Sequence, residues 1–305
     1  MDGETPPGLA PARLADAPPP NWPSILDRLT QDAPRPLVFV DATGHPDVAD
    51  HYERLLHAGI HVVTPSKLAN TRSQAAFDRL RAAAAEAGVL YRYETTAGAG
   101  LPVVQTVQDL VATGDRVRSI RGAVSGTLTF LFSALRQGRA FSEAVQTAID
   151  RGYAEPDVRD DLSGEDVARK FLILARTAEV AIERTDVRVE SLVPEGLSRC
   201  SYASFLDRLT TVDARWRKRS RAAAANEAVL QYVGRFSPDG IDVGVRQVSQ
   251  DTAFGRLEGQ NNLFEITTDR YAEAPLVVRG PGAGPEVTAA GVLSDVLAVA
   301  QAATN

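Results

Sequence analysis

The chain has 305 residues, of which 44% are hydrophobic and 24% are charged, and its formal net charge is −6. These values are typical of a globular protein with one large or two smaller domains, and they exclude an extended basic surface for nucleic acid or an anionic membrane. A single cysteine, Cys200, excludes a disulfide scaffold and a metal site built from several thiolates. Because no signal-peptide pattern and no run of 18 apolar residues is present, we expect a cytoplasmic protein without a transmembrane helix.

The first third of the chain has an α/β pattern. Residues 1–34 are rich in proline and predict an extended lead-in, with a short helix around Ser24–Thr30. Short apolar runs that end in turns then alternate with helical patterns, which predicts parallel strands joined by right-handed crossovers. The predicted strands are Pro36–Asp41, His61–Thr64 and Leu90–Glu94, and the predicted helices are Pro46–Ala58 and Ser73–Ala87.

The remainder of the chain predicts a mixed α+β unit. Residues 228–278 alternate apolar and polar side chains between Gly, Pro and Asp turns, which predicts antiparallel strands. Gly152 is a plausible cap for the helix before it. The other predicted elements are helix Pro102–Thr113, strand Val117–Val124, helices Leu128–Arg136, Ser142–Arg151 and Ser163–Ala178, strand Leu276–Val278 and helix Glu286–Ala302.

The densest group of charged residues runs from Gly152 to Lys170. Asp166 and Lys170 are spaced i, i+4 and share one helix face, and Ser163 before them resembles the start of a capping box. By spacing alone, this is typical of a solvated acidic loop and a surface ion pair worth ~0.3–0.5 kcal/mol. However, Leu174 lies on the same face, which indicates partial burial, and a desolvated lysine beside acids can act as a general acid or base.

This block closely resembles the signature of homoserine dehydrogenases. The matching residues run from Glu155-Pro-Asp157 through Arg-Asp-Asp-Leu-Ser-Gly to Asp166-Val-Ala-Arg-Lys170, with Val158 where the family usually has proline. The resemblance implies that Lys170 donates and accepts the proton at the C4 oxygen of the substrate. It also implies that Asp166 orients Lys170 and that Glu155 and Asp161 bind the substrate ammonium.

Two further stretches resemble the same family. His61-Val-Val-Thr-Pro-Ser-Lys67 is similar to a strand end whose lysine points into the active site, with Ser66 in place of asparagine. Ser125-Gly126-Thr127 is similar to the turn that contacts the amino-acid end of the substrate; the exposed amides of a helix start suit a carboxylate, although most such turns are only caps. The resemblance also implies the following contacts: Gly126, Thr127 and Tyr153 to substrate, and Thr43, Ser66, Gly282 and Gly284 to cofactor.

The glycine-rich stretch from Tyr93 to Pro102 resembles the family's loop for a monovalent cation, which would be sodium. The resemblance implies that the ligands are backbone carbonyls, namely those of Glu94, Ala97, Ala99 and Leu101. Taken without the resemblance, the stretch is only a turn into a helix with Pro102 near its first position.

The similarity extends over about residues 36–297 and is greatest to the dehydrogenase portion of bifunctional aspartokinase–homoserine dehydrogenases. It implies a Rossmann-like parallel sheet (35–108 and 279–305) and an α+β substrate and dimerisation domain (109–278). The implied activity interconverts L-homoserine and L-aspartate 4-semialdehyde with NAD(P), in threonine and methionine biosynthesis. It further implies a homodimer or higher homo-oligomer, with segment 228–278 as its interface, and no nucleic-acid or membrane partner.

The glycine-rich opening of a dinucleotide fold is not found in the first 43 residues, which contain only Gly3 and Gly8. We therefore expect a truncated Rossmann-like domain without its first strand, phosphate loop, first helix and nucleotide-reading strand. The loop Gly280–Thr288 does not replace them, because Pro285 stands where the third glycine is needed. The resemblance to the family implies instead that this loop is a lid over the nicotinamide end of the cofactor. Losing two or three charge-assisted hydrogen bonds to a pyrophosphate would weaken binding by at least several hundred-fold.

Three interpretations follow. In the first, the chain is a homoserine dehydrogenase. In the second, it is a homologue without redox chemistry that binds an amino acid or aldehyde, serves as a partner subunit or uses a lysine in a cofactor-free reaction. In the third, the missing strands are encoded upstream of Met1. Measured NADPH binding separates the first two, and an upstream Gly-x-Gly-x-x-Gly would establish the third. The strand end that sets NAD or NADP preference is not found in the sequence.

Overall fold

A three-stranded parallel sheet forms the N-terminal part of the computed structural model, which describes residues 20–32 and 34–304. Its strands are β1 (Val38–Val40), β2 (His61–Val63) and β3 (Tyr91–Arg92), in the order β1-β2-β3. The predicted parallel α/β unit is therefore confirmed, although each strand is shorter than predicted. The helices of this part are α1 (Trp22–Asp27), α2 (Pro46–Ala49), α3 (Tyr52–His57), α4 (Gln74–Glu86), α5 (Thr95–Gly98) and α6 (Val104–Ala112).

A six-stranded mixed sheet forms the second part. Its strands are β4 (Val117–Ala123), β5 (Val187–Val189), β6 (Ala228–Ser237), β7 (Gly240–Ser249), β8 (Asn261–Thr268) and β9 (Leu276–Pro281), in the order β5-β7-β6-β4-β8-β9. All neighbouring pairs are antiparallel except β5 and β7. The expected antiparallel strands over 228–278 are thus confirmed, whereas β5 was not predicted. The proposed boundary at residue 278 falls inside β9.

The helices that follow β4 are α7 (Gly126–Arg136), α8 (Phe141–Asp150), α9 (Val158–Ser163), α10 (Glu165–Thr177), α11 (Tyr202–Arg208) and α12 (Asp213–Ala224). Of these, α7, α10 and α12 pack on the six-stranded sheet. The C-terminal helix is α13 (Pro285–Thr304). Ten of the 13 residues of α10 are buried. Phe171 of this helix packs so closely on the sheet that a Cβ added to Gly234 would lie 2.2 Å from its ring. This close packing fixes α10, and with it Lys170, against the sheet.

The structure corrects two predicted helix boundaries. The helix predicted over Pro46–Ala58 is split into α2 and α3. The acidic loop before α10 contains a helix of its own, α9, and Asp157 caps it by accepting a hydrogen bond from the Arg159 amide at 2.9 Å. Gly164, with φ of +77°, ends α9 and separates it from α10. Ser163 is therefore the last residue of α9, and the capping box predicted for it is wrong.

The C-terminal helix α13 is more apolar than we expected. Residues Pro285–Ala303 are long and apolar enough to cross a membrane by length and composition alone, and the expectation that the chain has no transmembrane helix stays a prediction. However, α13 packs against β2 and α5, and its Asp295 is 1% exposed and forms an ion pair with Arg92. The helix is therefore bound to the parallel sheet through a buried charge.

Candidate active site

A cavity of about 790 Å³ lies where the two sheets meet. It is bounded by the loop after β2, by α5, by the α9–α10 junction and by the loop after β9. Such a crevice at the carboxyl end of parallel strands is the usual ligand site of an α/β sheet. The lining residues are Pro65, Lys67, Thr95, Ala99, Glu155, Asp160, Asp161, Ser163, Glu165, Asp166, Arg169, Lys170, Gly282, Ala283, Gly284 and Thr288.

Asp166 joins two lysines at the centre of this cavity. Its Oδ2 lies 2.9 Å from Lys170 Nζ, as the i, i+4 spacing predicted, and its Oδ1 lies 3.0 Å from Lys67 Nζ. Lys170 Nζ also donates a hydrogen bond to the Val124 carbonyl at 2.7 Å. Both lysine side chains are mostly buried, at 11% exposed for Lys170 and 26% for Lys67, whereas Asp166 is 49% exposed toward the cavity. The structure therefore brings all three predicted catalytic residues together.

Burial and charge shift the pKa values of these groups in a consistent way. Burial lowers the pKa of the Lys170 ammonium, and the attraction of Asp166 opposes this shift without cancelling it. Burial acts to raise the pKa of Asp166, but the two lysines outweigh it and hold that pKa below its usual range. Asp166 therefore remains a carboxylate while Lys170 loses its proton more readily than a solvated lysine, which suits a general base.

Two predicted substrate residues line the cavity next to the lysines. Asp161 accepts a hydrogen bond from the Glu155 amide at 2.8 Å, and burial raises the pKa of its carboxyl. The other three predicted substrate residues, Gly126, Thr127 and Tyr153, are not among the lining residues. Thr127 donates its hydroxyl to the Tyr153 carbonyl at 2.6 Å, and Gly126 is the first residue of α7, which Ser125 caps at 3.2 Å.

The predicted cofactor residues are divided between the cavity wall and the strand ends. Gly282 and Gly284 line the cavity, and a Cβ on Gly282 would lie 1.8 Å from the buried Asn262 side chain, so only glycine fits there. Thr43 and Ser66 do not line it. The Thr43 amide donates to the Asp41 carboxylate at 2.7 Å, and Ser66 is 7% exposed, just past the end of β2.

The loop that contains the predicted cation ligands is tightly folded. The Glu94 carboxylate accepts the amides of Val103, Val104 and Gln105, at 2.7, 2.8 and 2.7 Å, and so caps α6. Burial raises the pKa of Glu94 against the effect of these donors. Ala99 has φ of +52°, a backbone conformation that is uncommon outside glycine. The four predicted ligands, Glu94, Ala97, Ala99 and Leu101, therefore lie on one irregular turn.

The structure adds residues to the site for which the sequence analysis predicted no role. Arg169 and Thr95 line the cavity, and the Thr95 hydroxyl is buried without a hydrogen-bond partner among the described residues. Asp295 supports the wall of the cavity from α13, although 201 residues separate it from Glu94. Only Arg169, next to Lys170, had a local signal. Within residues 20–32 and 34–304, no group of three or more His, Cys, Asp or Glu side chains is placed to hold a metal ion.

Comparison with known protein families gives matches over both parts of the chain. Residues 102–297 match the family model described as homoserine dehydrogenase. Residues 6–94 match the model described as the NAD-binding domain of homoserine dehydrogenase. The absence of a phosphate loop stays a prediction, because the second match does not test it.

The chain is also similar to individual proteins. It is 46% identical over 269 residues to the chloroplastic bifunctional aspartokinase/homoserine dehydrogenase 2 of Zea mays, covering 86% of this chain but only 29% of that protein. It is 42% identical to the homoserine dehydrogenase of Paracoccidioides brasiliensis, covering 88% of this chain and 75% of that enzyme.

A solved structure shares the fold closely. A Candida auris protein of unknown function superposes with a TM-score of 0.89 at 38% identity, covering 95% of this chain and 84% of that one. Together, the two family models and the extent of the match to the P. brasiliensis enzyme show that this chain belongs to the homoserine dehydrogenase family.

Proposed function

We propose that the chain interconverts L-homoserine and L-aspartate 4-semialdehyde with NAD(P). The observation that carries this proposal is the pair of lysines joined by Asp166 in one cavity, at 3.0 and 2.9 Å. A reaction that turns an alcohol into an aldehyde requires a base for the hydroxyl proton and positive charge near the oxygen. Lys170 supplies the base and Lys67 the positive charge, and Asp166 holds both side chains in place.

In the proposed reaction, Lys170 removes the proton from the C4 hydroxyl, and it returns the proton in the reverse direction. The lowered pKa of Lys170 increases its neutral fraction, which is the form that accepts a proton. The hydrogen bond to the Val124 carbonyl and the ion pair to Asp166 hold Nζ in one position. Lys67 assists electrostatically at the same oxygen, and Glu155 and Asp161 bind the substrate ammonium.

The lid loop fits the nicotinamide end of the cofactor. When bound, NAD(P) supplies the acceptor or donor of the hydride at C4. Gly282 and Gly284 present backbone without side chains to the cavity, and Gly284 has φ of +122°, which glycine adopts without strain. Thr43 and Ser66, at the ends of β1 and β2, are proposed as further contacts.

The turn from Glu94 to Leu101 fits a monovalent cation, for which sodium is proposed. Ala97 and Ala99 are 0% and 7% exposed, so their carbonyls have little access to water. The Thr95 hydroxyl, which has no hydrogen-bond partner in the described part of the chain, adds an oxygen to the same turn. Hard cations are bound by such oxygen atoms, and the ion would hold this wall of the cavity in shape. Dependence of activity on sodium, with potassium and choline as comparison salts, tests this assignment.

We also propose that two copies associate through the six-stranded sheet. Its outer face forms a concavity of about 450 Å³ with several arginines and an aromatic ring, lined in part by Arg121, Arg235, Arg246, Phe254 and Glu265. Arginine and aromatic side chains are enriched at protein interfaces. A monomer mass in analytical ultracentrifugation at micromolar concentration would contradict this assembly.

The decisive experiment compares Lys170→Ala with Lys218→Ala. Lys218 lies exposed on α12, away from the cavity, so it controls for the loss of a lysine elsewhere. We expect Lys170→Ala to abolish homoserine-dependent reduction of NADP while circular dichroism and melting show an intact fold. NADPH binding is measured in parallel by fluorescence. Unchanged turnover in Lys170→Ala would exclude this residue as the base, and no NADPH binding by the wild type would support the homologue without redox chemistry.

A further inference from the structure

The buried carboxylate of Asp295 joins the C-terminal helix to the wall of the cavity. Its Oδ1 accepts from Arg92 Nε at 2.9 Å, and its Oδ2 accepts from the Glu94 amide at 3.0 Å. Asp295 is 1% exposed, so both bonds are shielded from water. Arg92 ends β3, and Glu94 precedes α5. One side chain therefore fixes the point where the parallel sheet passes into the turn of residues 94–101.

Backbone contacts extend this attachment along α13. A Cβ on Gly291 would lie 2.4 Å from the Thr95 methyl group and 3.1 Å from the Ala99 carbonyl. One turn earlier, a Cβ on Gly100 would lie 2.6 Å from the Val287 carbonyl. Helix and turn therefore touch with no side chain between them, and a small movement of α13 is transmitted directly to the turn.

The lid is continuous with this helix. Gly282 and Gly284 come immediately before α13, and Thr288 in its first turn lines the cavity together with Thr95 and Ala99. These residues line the cavity together with Lys67, with Lys170 and with the carboxylates of α9 and α10. The position of α13 thus sets the distance between the lid and the reacting groups.

Stability alone is a weak explanation for this arrangement. Burying two charges costs about as much as their attraction returns, so a buried ion pair adds little net stability compared with apolar residues. Here the second oxygen of Asp295 binds a single amide in the turn. Such a two-sided contact instead fixes the local geometry, because the carboxylate accepts hydrogen bonds from Arg92 and from the Glu94 amide at the same time.

We propose that Asp295 is a positioning residue that holds the lid and the turn of residues 94–101 in register for the nicotinamide end of the cofactor. This inference rests on the proposed function. It predicts that loss of the Asp295 contacts weakens the binding of the cofactor and leaves turnover and substrate binding at the lysines nearly unchanged. A residue with only a structural role would instead reduce the amount of folded enzyme and leave the affinity of the folded fraction unchanged.

The test compares Asp295→Asn and Asp295→Ala with the matched control Asp27→Asn. Asp27 forms an exposed ion pair with Arg54 on the surface, at 3.4 Å. We expect the apparent KM for NADPH to rise about tenfold in Asp295→Ala and less in Asp295→Asn, while kcat and the KM for L-aspartate 4-semialdehyde stay within about threefold. Amide hydrogen exchange in residues 93–100 should accelerate about tenfold, since the Glu94 amide loses its acceptor.

The following outcomes decide whether Asp295 has this positioning role. An unchanged KM for NADPH together with a lower melting temperature would overturn the positioning role, as would unchanged exchange in residues 93–100. If Asp295→Ala does not fold, Asp295→Asn decides, because it keeps the shape of the side chain while it loses the charge and replaces one accepting oxygen with an NH2 donor. If the wild type shows no turnover, the proposed activity fails; the NADPH dissociation constant and the exchange rates of the same variants then still test Asp295.

Discussion

Replacing Asp166 by asparagine removes the charge that both active-site lysines share. The two Asp166 oxygens lie 2.9 and 3.0 Å from Lys170 and Lys67. At an effective dielectric constant of about 20, a charge pair 4 Å apart is worth about 4 kcal/mol, but Asp166 is 49% exposed, and exposed pairs contribute up to about 1 kcal/mol each. We therefore expect the variant to lose roughly 1–2 kcal/mol of stability at neutral pH.

The catalytic effect should exceed the effect on stability. Lys170 loses a charge-assisted hydrogen bond worth ~1.5–3 kcal/mol, which corresponds to a roughly ten- to hundredfold lower kcat/KM if that bond is needed in the transition state. The pKa of Lys170, which burial already lowers, should fall further without the attraction of Asp166. Because neutral Lys170 is the proposed base, the acid limb of the kcat/KM profile for homoserine oxidation should move to lower pH.

The assay measures kcat/KM for homoserine oxidation against pH, with Asp160→Asn as control. Asp160 lines the same cavity and forms no ion pair with either lysine in the described structure. An acid limb that stays in place in Asp166→Asn, or a kcat/KM equal to that of the control, would refute the reasoning. In unfolding experiments, the contribution of Asp166 to the free energy of unfolding should be fully present above pH 3.8, the ordinary pKa of this carboxyl. It should be lost as the pH falls through the lowered pKa of Asp166 in the folded state, so that the stabilities of variant and wild type converge there.

Two glycines provide further predictions. Gly164→Ala should destabilise the fold by about 2–4 kcal/mol, because a Cβ would lie 1.9 Å from the Tyr232 hydroxyl and the backbone has φ of +77°. Thermal unfolding measures this loss, with Gly138→Ala as control. Gly138 has φ of +85° but no described atom within 4 Å of the added Cβ, so this variant should show only the smaller backbone cost. Gly282→Ala should displace the lid and raise the KM for NADPH, because the Cβ would overlap Asn262; adding Asn262→Ala should restore part of the affinity, and no recovery would contradict this steric explanation.

Local patterns in the sequence predicted much of the fold and the pairing of Asp166 with Lys170. The spacing of Asp166 and Lys170 placed both on one helix face, since a helix repeats every 3.6 residues. Alternation over residues 228–278 predicted antiparallel strands, and Ser73 and Ser125 cap the helices that follow them. These features depend on neighbours within a few residues, so no knowledge of the rest of the chain was needed.

Tertiary structure decided which charges meet and how strongly they are shifted. Lys67 reaches Asp166 only because β2 ends beside the start of α10, and Lys170 is buried only because α10 packs on the six-stranded sheet. The contact between Asp295 and Glu94 spans 201 residues. No periodic pattern encodes such pairs, because they depend on how separate elements close on one another. The sequence thus named the lysines and the acid, and only their packing around one cavity made them a coupled group.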